Sequence, residues 1–250
     1  MTNSLTASTA SSKVILVTGA SSGIGEATAR LLAAQGHRLV IGARRVERIE
    51  AIAAEIREEG DDVRASALDV TSLASFQSFA RVALDEFGRI DVLVNNAGVM
   101  PLSMVAELRV DDWNAMIDVN LKGVLHGIAS VLPAMQKQGS GHIVNVASVS
   151  GHRVDPSAAV YCATKFAVRA LSEGLRQESR EVRVTVVSPG LTRSELTQGI
   201  SNPHVRQAVD QMMEQSSMPA NTVAEAIAFA IAQSENVDIN EIVLRPTAQG

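Results

Sequence analysis

The sequence predicts a single doubly wound α/β domain, with a mostly parallel seven-stranded sheet and helices on both faces. Three observations carry this expectation. Short β-branched runs recur along the chain, and most are apolar almost throughout, as in strands covered on both faces. Longer stretches of helical period separate them. Glycines fall just past several of those stretches, where a left-handed C-cap favours glycine. Such alternation implies βαβ units with right-handed crossovers.

In chain order, residues 1–12 are rich in Ser, Thr and Ala, with no basic residue before Lys13 and no apolar h-region. They read as a flexible tail and not as a secretory signal. The first strand is Val14–Thr18. Ile24–Gln35 follows as a helix, with Ile24, Ala27, Leu31 and Ala34 at helical spacing and Gly36 just beyond. Strand Arg38–Gly42 leads into helix Val46–Glu59, closed by Gly60. Strand Val63–Ala67 leads into helix Ser72–Phe87, closed by Gly88. The remaining strands are Asp91–Asn95, His142–Ala147, Val182–Ser188 and Ile239–Leu244, and long helices are expected at Asp111–Gln136 and Ser157–Glu178. No segment of linker composition and no repeat interrupts residues 13–250, which read as one domain.

Composition narrows the function. The chain has 250 residues, with 22 Lys plus Arg against 27 Asp plus Glu, a formal net charge of −5. It offers no electrostatic footprint for nucleic acid or for an anionic lipid surface. Aromatics are 3 % of the chain, so Ala, Val, Ile and Leu must fill the core. Cys162 is the only cysteine, which excludes an internal disulfide and a cysteine zinc site. This suits a reducing compartment, and a cytoplasmic location is expected. Uninterrupted apolar stretches fall short of the ~20 residues a bilayer needs, so no membrane span is expected. The histidines show no metal-ligand spacing, and no metal is expected.

The first strand runs into Thr18-Gly19-Ala20-Ser21-Ser22-Gly23-Ile24-Gly25, and a helical pattern begins at its end. A strand, a glycine-rich turn and a helix N-terminus together make a phosphate site: glycines admit the anion close to the backbone, and free N–H groups and the helix dipole favour it. The plainer reading is a tight strand-to-helix turn, but the place after the first strand of a βαβ unit points to dinucleotide binding, with the spacing G-x-x-x-G-x-G in place of the common G-x-G-x-x-G. At the end of the second strand, where an acid would hold a ribose 2′-hydroxyl, the residues are Ala43-Arg44-Arg45. Two guanidiniums suit a 2′-phosphate, so NADP(H) is expected over NAD(H).

Tyr161 and Lys165 lie four apart at the start of a helical pattern, preceded by Pro156 and Ser157 as start signals, and so share one helix face. A phenol titrates near 10 when free, and a nearby positive charge brings it towards neutrality. Ser148 stands at the end of the fifth expected strand. The glycine loop, Asn95-Asn96-Ala97-Gly98, Ser148 and Pro189-Gly190 all follow strands, and ligands of open α/β sheets bind outside those strand ends.

In the order and spacing of these motifs, from Thr18 to Thr192, the chain resembles the short-chain dehydrogenase/reductase family, in its branch of about this length. The resemblance implies an NADP(H)-dependent oxidoreductase that moves a hydride between nicotinamide and a small or medium alcohol or carbonyl. It implies Tyr161 as general acid/base and Lys165 as the residue that lowers its pKa and binds the nicotinamide ribose. Ser148 would hold the carbonyl, and Asn120 would position a water leading to solvent. Gly19, Ser21, Ser22, Gly23, Ile24 and Gly25 would carry the phosphates, with Arg44 and Arg45 beside them. Asp69 and Val70 would border the adenine, Asn96, Ala97 and Gly98 the ribose, and Pro189, Gly190 and Thr192 the nicotinamide.

Plainer readings stand beside some of these. Asp69 can also be read as an N-cap for the following helix, Asn95 as a turn residue, Cys162 as a packing residue, and His152 as a loop residue without a role. Residues 191–221 read as a substrate lid, in which Met212, Met213 and Met218 either line a pocket or pack beneath it. The ending Arg245–Gly250 departs from the Asp-Gly-Gly of many relatives, and Asn240–Thr247 resembles the ending of a subgroup acting on small hydroxy acids and aldehydes. Homodimers or homotetramers are usual in the family. The alternative from another class is a non-catalytic dinucleotide sensor on the same fold. A sugar-nucleotide epimerase is disfavoured by the short chain and the glycine spacing.

Overall fold

The computed structural model describes residues 12–200 and 202–249. The expected N-terminal tail lies outside the described residues apart from Ser12, which is exposed.

The strands are β1 (Val14–Thr18), β2 (Arg38–Ala43), β3 (Val63–Ala67), β4 (Val92–Asn95), β5 (Gly141–Val146), β6 (Val182–Pro189) and β7 (Glu241–Leu244). The helices are α1 (Gly23–Ala34), α2 (Val46–Glu58), α3 (Leu73–Phe87), α4 (Val110–Ile117), α5 (Gly123–Gln138), α6 (Ala159–Glu178), α7 (Pro203–Ser216) and α8 (Ala220–Ala232). The sheet order is β3-β2-β1-β4-β5-β6-β7, and every pairing is parallel. The sheet is therefore the expected doubly wound one, wholly parallel among the described residues.

Alternate strand residues face opposite helix layers, which explains why the strand sequences do not alternate. Ile15, Val17, Leu39, Ile41 and Val94 pack with α1, α2 and α8. Val14, Leu16, Val40, Leu93 and Ile143 pack with α3, α5 and α6. Each such side chain removed from water stabilises the fold by about 1.5–3 kcal/mol, and two covered faces demand it at successive positions. Gly36, Gly60 and Gly88 end their helices with φ of 80°, 96° and 75°, the left-handed geometry expected of them.

Four expectations are corrected. The buried face of α1 is Gly25, Thr28, Ala29, Leu32 and Ala33, not the stripe of Ile24, Ala27, Leu31 and Ala34. Ile24 and Leu31 are half-buried at the flank of the same core, because α1 is covered by α8 as well as by the sheet. The expected long helix Asp111–Gln136 is α4 and α5 joined by a π-helical turn, Asp118–Lys122, a feature sequence periodicity does not register. By length and composition that run, Val110–Gln138, is apolar enough to cross a membrane. The expectation of no such segment counted only uninterrupted apolar residues. Here Val124, Ile128, Val131 and Met135 line an inner face packed on the sheet. Finally, α6 starts at Ala159, and Ser157 precedes it with a left-handed φ of 65°, its carbonyl accepting the Ser103 N–H at 3.1 Å.

Strand order reverses between β1 and β4, so the chains leaving these strands diverge and open a crevice at their carboxyl ends.

Candidate active site

The crevice is a cavity of about 1220 Å³. Every residue expected to touch a dinucleotide lines it except Gly25. Gly25 acts sterically: a Cβ there would collide with the Gly19 carbonyl oxygen and stand 2.6 Å from Asn96 Nδ2. Gly19 and Gly23 adopt φ of 68° and 57°, which a side chain would resist. The loop is held from β1 itself. Thr18 Oγ1 accepts the N–H groups of Asn96 and Ala97 at 3.0 and 3.1 Å, and Asn96 Nδ2 donates to the Thr18 carbonyl at 2.9 Å. The two loops thus form one unit around a backbone cradle into which a phosphate fits. Asn95 is no turn residue; it is buried in β4 and its Nδ2 donates to Asn145 Oδ1 at 2.9 Å.

Beyond β2, Arg44 is exposed at the cavity rim, close enough for its charge to help hold the Asp69 carboxyl below its ordinary value. The larger cause of that shift is the pair of hydrogen bonds from Thr71, at 2.8 and 3.0 Å. Asp69 is therefore a turn residue, and the N-cap of α3 is Ser72, which accepts the Ser75 N–H at 3.2 Å. Arg45 donates to Ser21 Oγ and Ser22 Oγ, both at 2.9 Å, and pairs with Glu195 at 2.7 Å. Glu195 also reaches Arg48 at 3.2 Å, and the hydrogen bond from Arg45 is the chief cause of its lowered pKa. Nothing in the sequence marks Glu195 for this place, because Arg45 and Glu195 are far apart in the chain and meet only when β2 and β6 deliver them to one edge.

Four side chains gather at the opposite end. Tyr161 and Ser148 are buried at the cavity wall and hydrogen-bonded to each other. Ser148 Oγ also accepts the Ser150 N–H at 3.1 Å, which fixes the 3-10 turn Val149–Gly151 after β5. Lys165, one turn along α6, donates from Nζ to the Val146 carbonyl at 2.9 Å and lies 5.7 Å from the centre of the Tyr161 ring. Asn120, on the π turn, sits behind this group. Its Oδ1 accepts the Val99 N–H at 2.8 Å, and its Nδ2 donates to the Val99 carbonyl at 2.9 Å and to Thr164 Oγ1 at 3.2 Å. That amide ties the loop after β4 to α6.

The electrostatics differ from the sequence expectation. Burial pushes the Tyr161 phenol up to about 12, with the Ser148 hydrogen bond opposing it. Burial likewise brings Lys165 down to about 8. In the protein alone, desolvation outweighs any pull of the ammonium on the phenol, because both groups are withdrawn from water and the ammonium is held by a backbone carbonyl.

The region 191–221 is more regular than its composition suggested: a 3-10 turn, Glu195–Gly199, then α7, capped by Asn202 Oδ1 accepting the N–H groups of His204 and Val205. Met212 and Met213 line the cavity, whereas Met218 is buried in the core and bonds through its backbone to Leu191 and Arg193. Cys162 is a buried packing residue in the cluster around Tyr161. His152 does contact a partner, Glu241 at 2.9 Å. Gln249, which sequence reasoning missed, accepts the Leu191 N–H on its Oε1 at 2.8 Å and lines the cavity beside Gly190. Among the described residues, no group of three or more His, Cys, Asp or Glu is placed to hold a metal ion.

Residues 13–204 match the family model described as short chain dehydrogenase. An uncharacterized oxidoreductase of Staphylococcus saprophyticus is 48 % identical over 241 residues, 95 % of this chain and 97 % of the relative. Among solved structures, the alcohol dehydrogenase of the archaeon Thermococcus sibiricus, complexed with 5-hydroxy-NADP, superposes with a TM-score of 0.85 at 34 % identity, covering 95 % of this chain and 98 % of the other. A short chain dehydrogenase/reductase of Burkholderia phymatum in complex with NAD gives a TM-score of 0.86 at 29 % identity, over 93 % and 88 % of the two chains.

Proposed function

The chain belongs to the short-chain dehydrogenase family of oxidoreductases and takes a nicotinamide dinucleotide, and from that premise we propose that it prefers NADP(H) and interconverts a small or medium alcohol with its ketone or aldehyde. The observation that carries this reading is the convergence of Ser148, Tyr161 and Lys165 on one wall of the cavity whose other end holds the glycine loop and Arg44. A binding module needs no buried phenol paired with a buried amine.

When bound, the nicotinamide supplies or accepts the hydride, and its oxidised ring brings a positive charge to the cavity. The protein moves the proton. In reduction Tyr161 Oη gives its proton to the substrate oxygen, and in oxidation it takes that proton back. Ser148 shares the phenol's hydrogen-bond network and donates to the same oxygen, holding the carbonyl. Lys165 places an ammonium 5.7 Å from the centre of the Tyr161 ring, and as a donor at the cavity wall it suits a ribose hydroxyl. Asn120 is a positioning residue, fixing the Asn96–Val99 loop against α6. Residues 191–221 would close over the substrate, Met212 and Met213 giving it an apolar wall. The proposed setting is a single domain spanning 13–250, cytoplasmic, and assembled as a homodimer or homotetramer.

Oxidation of NADPH and of NADH, followed against a panel of ketones, aldehydes and keto acids, tests this reading. A higher kcat/KM with NADPH on at least one carbonyl is expected; equal or better values with NADH would contradict the coenzyme preference, and a silent panel with bound NADPH would contradict the activity. Arg44→Asp is expected to lower the NADPH/NADH ratio by roughly five- to tenfold, the worth of one charged hydrogen bond at an exposed rim. An unchanged ratio would remove Arg44 from the phosphate site.

A further inference from the structure

We propose that Glu195 sets the balance between NADP(H) and NAD(H), its carboxylate, itself anchored on Arg48, holding the Arg45 guanidinium that a 2′-phosphate would otherwise take. The inference rests on the dinucleotide reading above and adds to it a residue from the far side of the chain.

The geometry is that of a lid clasped to the glycine loop. Arg45 has one side of its guanidinium on Ser21 and Ser22, at 2.9 Å each, and the other on Glu195 at 2.7 Å. Arg48, one helical turn along in α2, meets the second carboxylate oxygen at 3.2 Å. The backbone follows the same path, since a Cβ added at Gly23 would stand 3.0 Å from Ser194 Cβ. The 3-10 turn beginning at Glu195 is therefore seated directly over the helix start that carries the pyrophosphate. Arg45, Ser194 and Glu195 line the same cavity as Arg44 and Asp69, whereas Arg48 is not part of its lining.

A carboxylate and a phosphate seek the same planar fork of donors. A 2′-phosphate arriving between Arg44 and Arg45 meets two cations of the cavity wall but also the charges of Glu195 and Asp69. It must displace Glu195 from Arg45 or endure its repulsion. A 2′-hydroxyl carries no charge, so NAD(H) meets neither obstacle. Glu195 thus acts against the phosphate selectively, and displacement of its carboxylate would loosen the first turn of the lid when NADP(H) binds.

Calorimetric titration of wild type and Glu195→Gln with NADP+, NAD+, adenosine 2′,5′-bisphosphate and AMP tests this without turnover. The variant keeps the side-chain length and loses the charge. It is expected to bind NADP+ and the bisphosphate roughly three- to tenfold more tightly, the sum of two half-exposed ion pairs. NAD+ and AMP should change by less than about twofold, and raised salt should shrink the difference. Unchanged or weakened binding of both 2′-phosphate-bearing ligands in the variant would overturn the inference, because Glu195 would then be orienting the arginines rather than competing for them. A wild type that binds NAD+ as tightly as NADP+ would refute the coenzyme preference alone, and the inference would still stand if Glu195→Gln raised the NADP+/NAD+ affinity ratio.

Discussion

Tyr161→Phe is expected to lower kcat by roughly 10²–10⁴-fold, the usual worth of a positioned proton donor, while coenzyme affinity stays within about twofold. The ring remains where it packs, against Leu102, Met116, Ala158 and Cys162, so the fold should not suffer. Only the hydroxyl is lost, and with it the partner of Ser148. Since Lys165 and the glycine loop are untouched, the loss should fall on kcat and not on coenzyme binding. Steady-state rates on the best carbonyl, with coenzyme titrations alongside, check this. Full turnover by the variant would mean that another group delivers the proton.

Gly25→Val acts at the other end of the cavity. Its side chain would enter space held by the Gly19 carbonyl and by Asn96 Nδ2, both of which fix the loops after β1 and β4. The Gly19 carbonyl is backbone, and Asn96 Nδ2, although a side-chain end, is tied to the Thr18 carbonyl, so the backbone must give. A cost of about 3 kcal/mol is expected, at the upper end for overpacking. In a chain of this size that is a fall in Tm of roughly 6–12 °C. Dinucleotide Kd should rise about a hundredfold, as 2.8 kcal/mol of lost loop geometry would give. Gly174→Ala is the control: it is a helical glycine with nothing within 4 Å of its added Cβ, and it should be neutral or stabilise by up to about 1 kcal/mol. Thermal melts and coenzyme titrations of the two variants separate a specific collision from a general intolerance of side chains at glycine. Equal behaviour would remove Gly25 from the cradle.

The sheet was legible because its signal is local. Val14–Thr18 and Val63–Ala67 appear in the structure with the bounds their apolar runs suggest, since burial on both faces writes itself into consecutive residues. Gly36, Gly60 and Gly88 were legible for the same reason, a left-handed φ being a demand on one position. The buried face of α1 was not, because α8, nearly two hundred residues later, decides which side of α1 is covered. The π turn holding Asn120 leaves no periodic trace. Motif order brought Ser148, Tyr161 and Lys165 to one wall, yet the electrostatics there came out reversed for the phenol, because spacing reports charge proximity and says nothing of desolvation. Glu195 and Gln249 were missed for want of any local signal: each acts through its side chain on residues distant in sequence, Glu195 on Arg45 and Arg48 and Gln249 on Leu191.

The central claim is that Tyr161 is a proton donor held protonated by its burial and released by charge placed in the cavity. It is the only tyrosine in the chain, so phenolate absorbance reports it alone. In the free protein the phenol should stay protonated well past its ordinary value, titrating towards about 12. With saturating NADP+ the same absorbance should appear at lower pH by at least about one unit, as a nearby positive charge requires. A phenol that titrates near 10 in the free protein, and at the same pH with NADP+ bound, would contradict the account.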